Sequence, residues 1–214
     1  RRQRQMCIRD RYQAHPYHHS TIGWRSDIEN VSTERLQEFY HTYYWPNNST
    51  VTVIGDFDKK EALGFIKKHF GKHKSSEHNI PDMYTSEPKQ EGSRRTEIKR
   101  AGQTSIVGVA HKTPPGLHKD IYSFQLLGKI LTDGKTSRFH KKIIDKGLAT
   151  SLFLCDFPFK DNGLFITYVF LTPETKHDQI EQIVLSEYDD IIQKGVTTDA
   201  LWRAKAQMRA SVPL

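Results

Sequence analysis

Two apolar runs, "ATSLFLCDF" at 149–157 and "GLFITYVFLT" at 163–172, meet through the turn residues "KDNG" at 160–163. Both are rich in β-branched and aromatic residues, and the turn between them makes the pair a β-hairpin. A lone hairpin is marginal in water, so its apolar faces have to be covered by other elements. The flanking sequence provides candidates. "PPGLHKDIYSFQLLGKILTDG" at 114–134 puts Ile121, Phe124, Leu127 and Leu131 on one face of a predicted helix, and "TSRFHKKIIDKG" at 136–147 reads as a shorter helix stopping at Gly147. After the hairpin, "KHDQIEQIVLSEYDDIIQKG" at 176–195 is amphipathic and "TTDALWRAKAQMRAS" at 197–211 starts another helix. Ahead of all these, "RRTEIKR" at 94–100 and "TSIVGVAHKT" at 104–113 read as two further strands. The order ββααββαα predicts an α+β fold, with helices packed on one face of a mixed, largely antiparallel sheet.

The front of the chain has its own pattern. Leu36, Phe39, Tyr40 and Tyr43 recur at helical spacing over 31–44, with Ser32 as cap and Val31 set to staple onto Leu36. Pro46 ends that helix, "TVTVIG" at 50–55 reads as a strand, and Asp58 with Glu61 caps a second helix that carries Leu63, Ile66 and Phe70 and stops at Gly71. Residues 72–92 are polar, hold two prolines and lack an apolar period, which makes them a linker. The predicted division is 1–71, a linker over 72–92, and 93–214.

Charge and cysteine content exclude several classes. The net charge is +7 and the pI about 9.3, but the 32 Lys and Arg residues are scattered rather than gathered in a stripe, so no nucleic-acid partner is expected. No run approaches the roughly 18 apolar residues of a membrane span. Cys7 and Cys155 are far apart and form no CxxC, so neither a disulfide framework nor a thiolate zinc site is indicated. "RRQRQMCIRD" has no apolar signal core, and a first residue other than Met points to a fragment.

Four stretches invite a chemical reading. His15, His18 and His19 are dense enough for a metal site, but Pro16 prevents a helical i,i+4 pair and no carboxylate stands at a ligand spacing, so an incidental cluster is favoured. "GKTS" at 134–137 echoes a phosphate-binding loop, yet position 129 is Lys where that loop needs Gly, and the context is helical. Gly134 is better read as a left-handed helix stop, with Thr136 or Ser137 capping the next helix. Asp56 and Asp58 read as turn and cap residues, and the aromatics of "FYHTYYW" at 39–45 as a core face rather than a base-stacking platform. No G-x-S-x-G, H-E-x-x-H or dinucleotide fingerprint occurs.

The stretches "HPYHHSTIGWRSDIEN" and "LQEFYHTYYWPNNSTVTVIGDFDKKEALGFIKKHFG", with "DGKTSRFHKKIIDKGLATSL" and "LWRAKAQMRAS" later, resemble the insulinase or pitrilysin-like zinc metallopeptidases, which include mitochondrial processing peptidase. The likeness runs over about residues 13–210. It implies a clamshell of homologous α+β halves closing on an extended peptide, with residues 1–71 ending the zinc-binding half and 93–214 forming most of the second. In that family, zinc sits on a His-x-x-Glu-His helix and a glutamate in a helix of the kind "EERRxR". "RRQR" at 1–4 matches the tail of the latter, so the resemblance leaves the metal ligands and the general base outside the chain. No catalytic and no metal-binding residue is therefore assigned, and the substrate-binding residues stay open. Zinc is expected in the parent protein and not on this chain. The implied partners are a peptide or small protein substrate and either the remaining domains or a homologous subunit. The alternative is a non-catalytic structural or regulatory subunit. Bacterial members of the family suggest a periplasmic or cytoplasmic location. "QMCIRDRY" at 5–12 departs from the family pattern, and "MCIRDR" reads as foreign to the native chain.

Overall fold

The computed structural model describes residues 11–102 and 104–211, which divide into two units: 14–88, and 11–13 together with 89 onward. "RRQR", Cys7 and most of "MCIRDR" lie outside the described residues.

Unit 14–88 holds three helices, α1 (Arg25–Asn30), α2 (Thr33–Tyr43) and α3 (Lys59–Phe70). The Ser32 hydroxyl accepts from the Arg35 amide at 3.3 Å, and the Asp58 carboxylate accepts from the Lys60 and Glu61 amides at 2.9 Å each. These caps satisfy first-turn N–H groups that have no partner inside the helix. Helix α1 was not anticipated. Segment 50–55, expected as a strand, forms none, and Ile54 is 92% exposed. A strand needs a neighbour for its ladder bonds, and no strand of this unit is there to pair with it among the described residues. Gly71 ends α3 in right-handed backbone, at φ −65°, rather than in a left-handed turn.

The other unit is built on β1 (Ile106–Pro115), β2 (Ala149–Phe157) and β3 (Asn162–Leu171), antiparallel throughout and ordered β1-β3-β2. The expected hairpin is the β2–β3 pair, in register from Phe157 opposite Leu164 to Ser151 opposite Phe170, with a shift before Ala149 pairs with Leu171. Its closed end needs Gly163, because a Cβ there would lie 2.1 Å from the Phe157 carbonyl oxygen and 2.8 Å from Thr113 Oγ1. The expected strand at 94–100 does not form. Its sequence alternates charges with one isoleucine and offers little apolar face to hold a fourth strand.

Helix α4 (Ile121–Thr132) begins at the first residue of its apolar period, after the tandem prolines that end β1, and lies over β2. Helix α5 (His177–Lys194) lies over β1, and α6 (Thr198–Ala210) packs on α4. The sheet face beneath them shows Phe165, Val169 and Leu171 from β3 and Val107 from β1, closed by Leu131, Ile180, Val184 and Tyr188 from the helices. Each such side chain removed from water contributes roughly 1.5–3 kcal/mol. Leu164, Ile166 and Tyr168 point to the opposite face and are buried too. Tyr12 is tied to this side: its hydroxyl donates to the Asn162 carbonyl at 2.6 Å and Lys112 Nζ sits 5.7 Å from its ring centroid. Segment 136–147, expected as a short helix, carries a π-helical turn at His140–Ile144, where the Asp145 amide bonds back to the His140 carbonyl. None of the described helices is long and apolar enough to cross a membrane.

Candidate functional site

The histidine loop comes first in the chain. Pro16–His18 forms one 3-10 turn, and His15 caps it with Nδ1 accepting from the Tyr17 amide at 3.2 Å. His15 is 3% exposed, and its amide and that of Ala14 both donate to Glu87 Oε2, at 3.1 and 3.0 Å. His15 Nδ1 is thus an acceptor for backbone. The His18 and His19 rings meet edge to face, with centroids 5.4 Å apart. Among the described residues, no three His, Cys, Asp or Glu side chains come close enough to share a metal ion, so these residues do not fit a zinc centre.

Asp58 is occupied by its cap bonds. The aromatics of 39–45 stack on one another, Tyr40 on Tyr44 at 4.9 Å and Phe39 against Tyr43 at 4.8 Å, but Phe39, Tyr40 and Tyr44 are exposed rather than a core face. That expectation fails because nothing in unit 14–88 lies against the apolar side of α2 among the described residues. His15 is the one residue in the unit that counts as buried.

The second unit concentrates charge around one residue that sequence reading missed. Glu187 on α5 is fully buried, accepts from Arg138 Nε at 2.7 Å and pairs with Lys142 Nζ. Arg138 also reaches Asp190, which pairs with Lys194 at 2.6 Å. Burial works against the Arg138 charge, but Glu187 and Asp190 outweigh it, and the guanidinium is held above its ordinary pKa. Asp190 is held below the usual carboxylate range by Lys194 and Arg138. Arg138 precedes the π-helical turn and Lys142 lies within it, so this network pins that turn to α5 across 45 to 52 residues of sequence. No local spacing announces a pairing at that separation.

Beside it, Thr167 and Tyr188 share a 2.6 Å hydrogen bond, and burial pushes the Tyr188 hydroxyl up to about 12 against the pull of that bond. His111 stacks edge-on to Tyr188 at 4.7 Å, and burial, with the Arg11 charge, lowers its pKa. "GKTS" lies in the turn after α4: Gly134 has φ 75° and is the left-handed stop expected of it, but the Ser137 hydroxyl makes no cap bond and has no hydrogen-bond partner among the described residues. These groups hold the fold. They do not assemble a nucleophile with its base or a metal with its water.

The sequence profile described as "Peptidase M16 inactive domain" matches residues 30–208. "Zinc protease PqqE" of Helicobacter pylori is 29% identical over 202 residues, spanning 93% of this chain and 46% of that protein. The crystal structure of a protease from Helicobacter pylori superposes with a TM-score of 0.88 at 29% identity, over 97% of this chain and 50% of that one. The peptidase M16 inactive domain from Pseudomonas fluorescens shares the fold with a TM-score of 0.80, at 18% identity, over 98% of this chain and 50% of that one. The chain spans about half the length of the curated relatives it matches, 46% and 43% of the first two.

Proposed function

We propose, from the premise that this chain belongs to the peptidase M16 family through its inactive domain, that it is the non-catalytic scaffold of a zinc metalloendopeptidase and is inactive alone. The observation that carries this reading is the match of that inactive domain to residues 30–208. A zinc peptidase needs a Lewis-acidic metal with an open position and a carboxylate to activate its water. In this reading zinc belongs to the parent protein, and the chain holds neither ligand nor general base.

Residues 1–71 end the zinc-binding half, 72–92 link, and 93–214 form the second half. Support comes from the change of contact unit at 88/89, inside the predicted linker, although Tyr12 packs with the second unit. The exposed apolar side chains of unit 14–88, among them Trp24, Leu36, Phe39 and Phe70, are the surface that the remaining domains or a homologous subunit would cover. The parent would close on a peptide or small protein substrate, with this chain forming part of the wall.

The experiment is a peptidase assay of the purified 214-residue chain on unstructured peptides with added zinc, alone and after joining to the zinc-ligand half of the parent. No turnover is expected from the chain alone, and phenanthroline-sensitive turnover from the joined protein. Chelator-sensitive hydrolysis by the chain alone overturns the scaffold reading. A joined protein that binds peptide without cleaving it favours a regulatory subunit.

A further inference from the structure

The loop from Ala14 to His19 is closed from a distance. Pro16 brings no N–H to it and holds His15 extended, at φ −64° and ψ 141°. The His18 and His19 amides bond within the 3-10 turn, to the His15 and Pro16 carbonyls at 2.9 Å each, and the Tyr17 amide goes to His15 Nδ1. The remaining two amides, of Ala14 and His15, both donate to Glu87 Oε2, 73 and 72 residues further along the chain. Glu87 itself precedes Pro88, which steers its backbone away from helix and toward an extended form. One carboxylate thus fixes the entry of the loop, and with it the seat of the buried His15.

The surroundings decide how firmly that seat is held. Residues 72–92 form no helix or strand, so Glu87 is presented by a segment without a ladder of its own. Glu87 is half-buried and its bond to Ala14 is exposed, which lets water compete for both partners. Around it, unit 14–88 offers no buried residue besides His15. Exposed backbone bonds and sparse packing mark a region that opens locally at a lower free energy than the elements beside it. Two states follow: closed, with both amides on Glu87, and open, with the carboxylate in water and His15 uncovered.

We propose that Glu87 is a latch that couples segment 72–88 to the histidine loop, so that a change in the segment that withdraws the carboxylate releases the Ala14 and His15 amides and uncovers His15. The latch uses residues of unit 14–88 alone. It stands whether or not the scaffold reading holds.

The test reads the loop in the full chain, by amide hydrogen exchange and by modification of histidines with diethyl pyrocarbonate. In the unsubstituted chain His15 should react much more slowly than the exposed His19. In E87A the Ala14 and His15 amides should exchange at least about tenfold faster, as loss of charge-assisted hydrogen bonds predicts, and His15 should react as fast as His19. E87Q keeps an oxygen that can accept and should fall between the two. E91A removes the next carboxylate along the chain and should change neither readout. Exchange within α2 and α3 should be the same in every variant, because the latch lies outside them. Unchanged exchange and reactivity in E87A overturn the proposal, as does equal reactivity of His15 and His19 in the unsubstituted chain. So does acceleration through α2 and α3 along with the loop, which would make Glu87 a brace of the whole unit, or an E91A effect matching that of E87A, which would mean general charge.

Discussion

Phe165 in β3 and Phe39 in α2 each lie on the apolar side of an amphipathic element, yet Phe165 is 1% exposed and Phe39 56%. The first faces α4 and α5 across a three-stranded sheet, touching Phe124 at 5.6 Å and Tyr188 at 6.4 Å. The second has ring contacts with its chain neighbours Tyr43 and Tyr44. Local signals work equally well in both units: caps close α2 and α3 as surely as the apolar period shapes α4 and α5. What differs is whether the chain itself carries the surface that an apolar face must cover. Helix existence is a local property and burial is not.

The strongest way to break this contrast is to truncate the two aromatics. F165A should lower stability by about 3–5 kcal/mol, the range for large core deletions, seen as a fall in the urea midpoint of the near-UV signal. F39A should stay within about 0.5 kcal/mol, as for surface changes. A comparable loss at Phe39 would mean that unit 14–88 already has a core of its own.

Next in size is the ion network. E187Q removes the charge and one of the two acceptor oxygens that join Arg138 and Lys142 to α5. Breaking a buried pair costs about 3–5 kcal/mol, but both cations reach solvent and Arg138 keeps Asp190. The expected loss is therefore about 2 kcal/mol, with faster amide exchange through the π-helical turn His140–Ile144. Unchanged exchange there would show that the turn is held by packing of Phe139 and Ile143 instead.

On the other side of the comparison, D58A removes the cap of α3 and should cost about 1 kcal/mol of helix stability, read as lost ellipticity. Unit 14–88 lacks core packing to compensate, so the capping loss should appear there in full.

Those cases also mark what was legible. Ser32, Asp58, Gly134, Gly147 and the β2–β3 hairpin were readable because each is fixed by residues within a few positions of one another. Segment 50–55 has a strand's composition, and α2 and α3 have a core-facing period, but neither composition nor period says whether a partner surface is within reach. The Arg138–Glu187 network joins residues brought together by the packing of α5. Its sequence signature was a pair of charged residues like many others. The zinc reading of His15, His18 and His19 is weighed down by Pro16 in the sequence, and the structure adds that His15 Nδ1 accepts from the Tyr17 amide.

The smallest expected effect tests the sheet itself. Asp156 stands in the same cross-strand row as Phe165 and His111, on the face the helices cover. Its two carboxylate oxygens are sealed from solvent and lack a hydrogen-bond partner among the described residues, although the residue as a whole is only partly buried. Desolvation accordingly raises its pKa, and the folded chain keeps a proton that the unfolded chain has given up. The stability contributed by the neutral form is complete below about pH 4 and is lost as pH rises through the raised folded value. D156N keeps the shape and cannot ionise. Its melting temperature relative to the unsubstituted chain should therefore climb between about pH 3.5 and pH 7, from equal or lower to higher. A difference that stays constant across that range would mean that the carboxylate finds water or a cation in solution, and that this end of the hairpin is less closed than the row His111–Phe165–Asp156 implies.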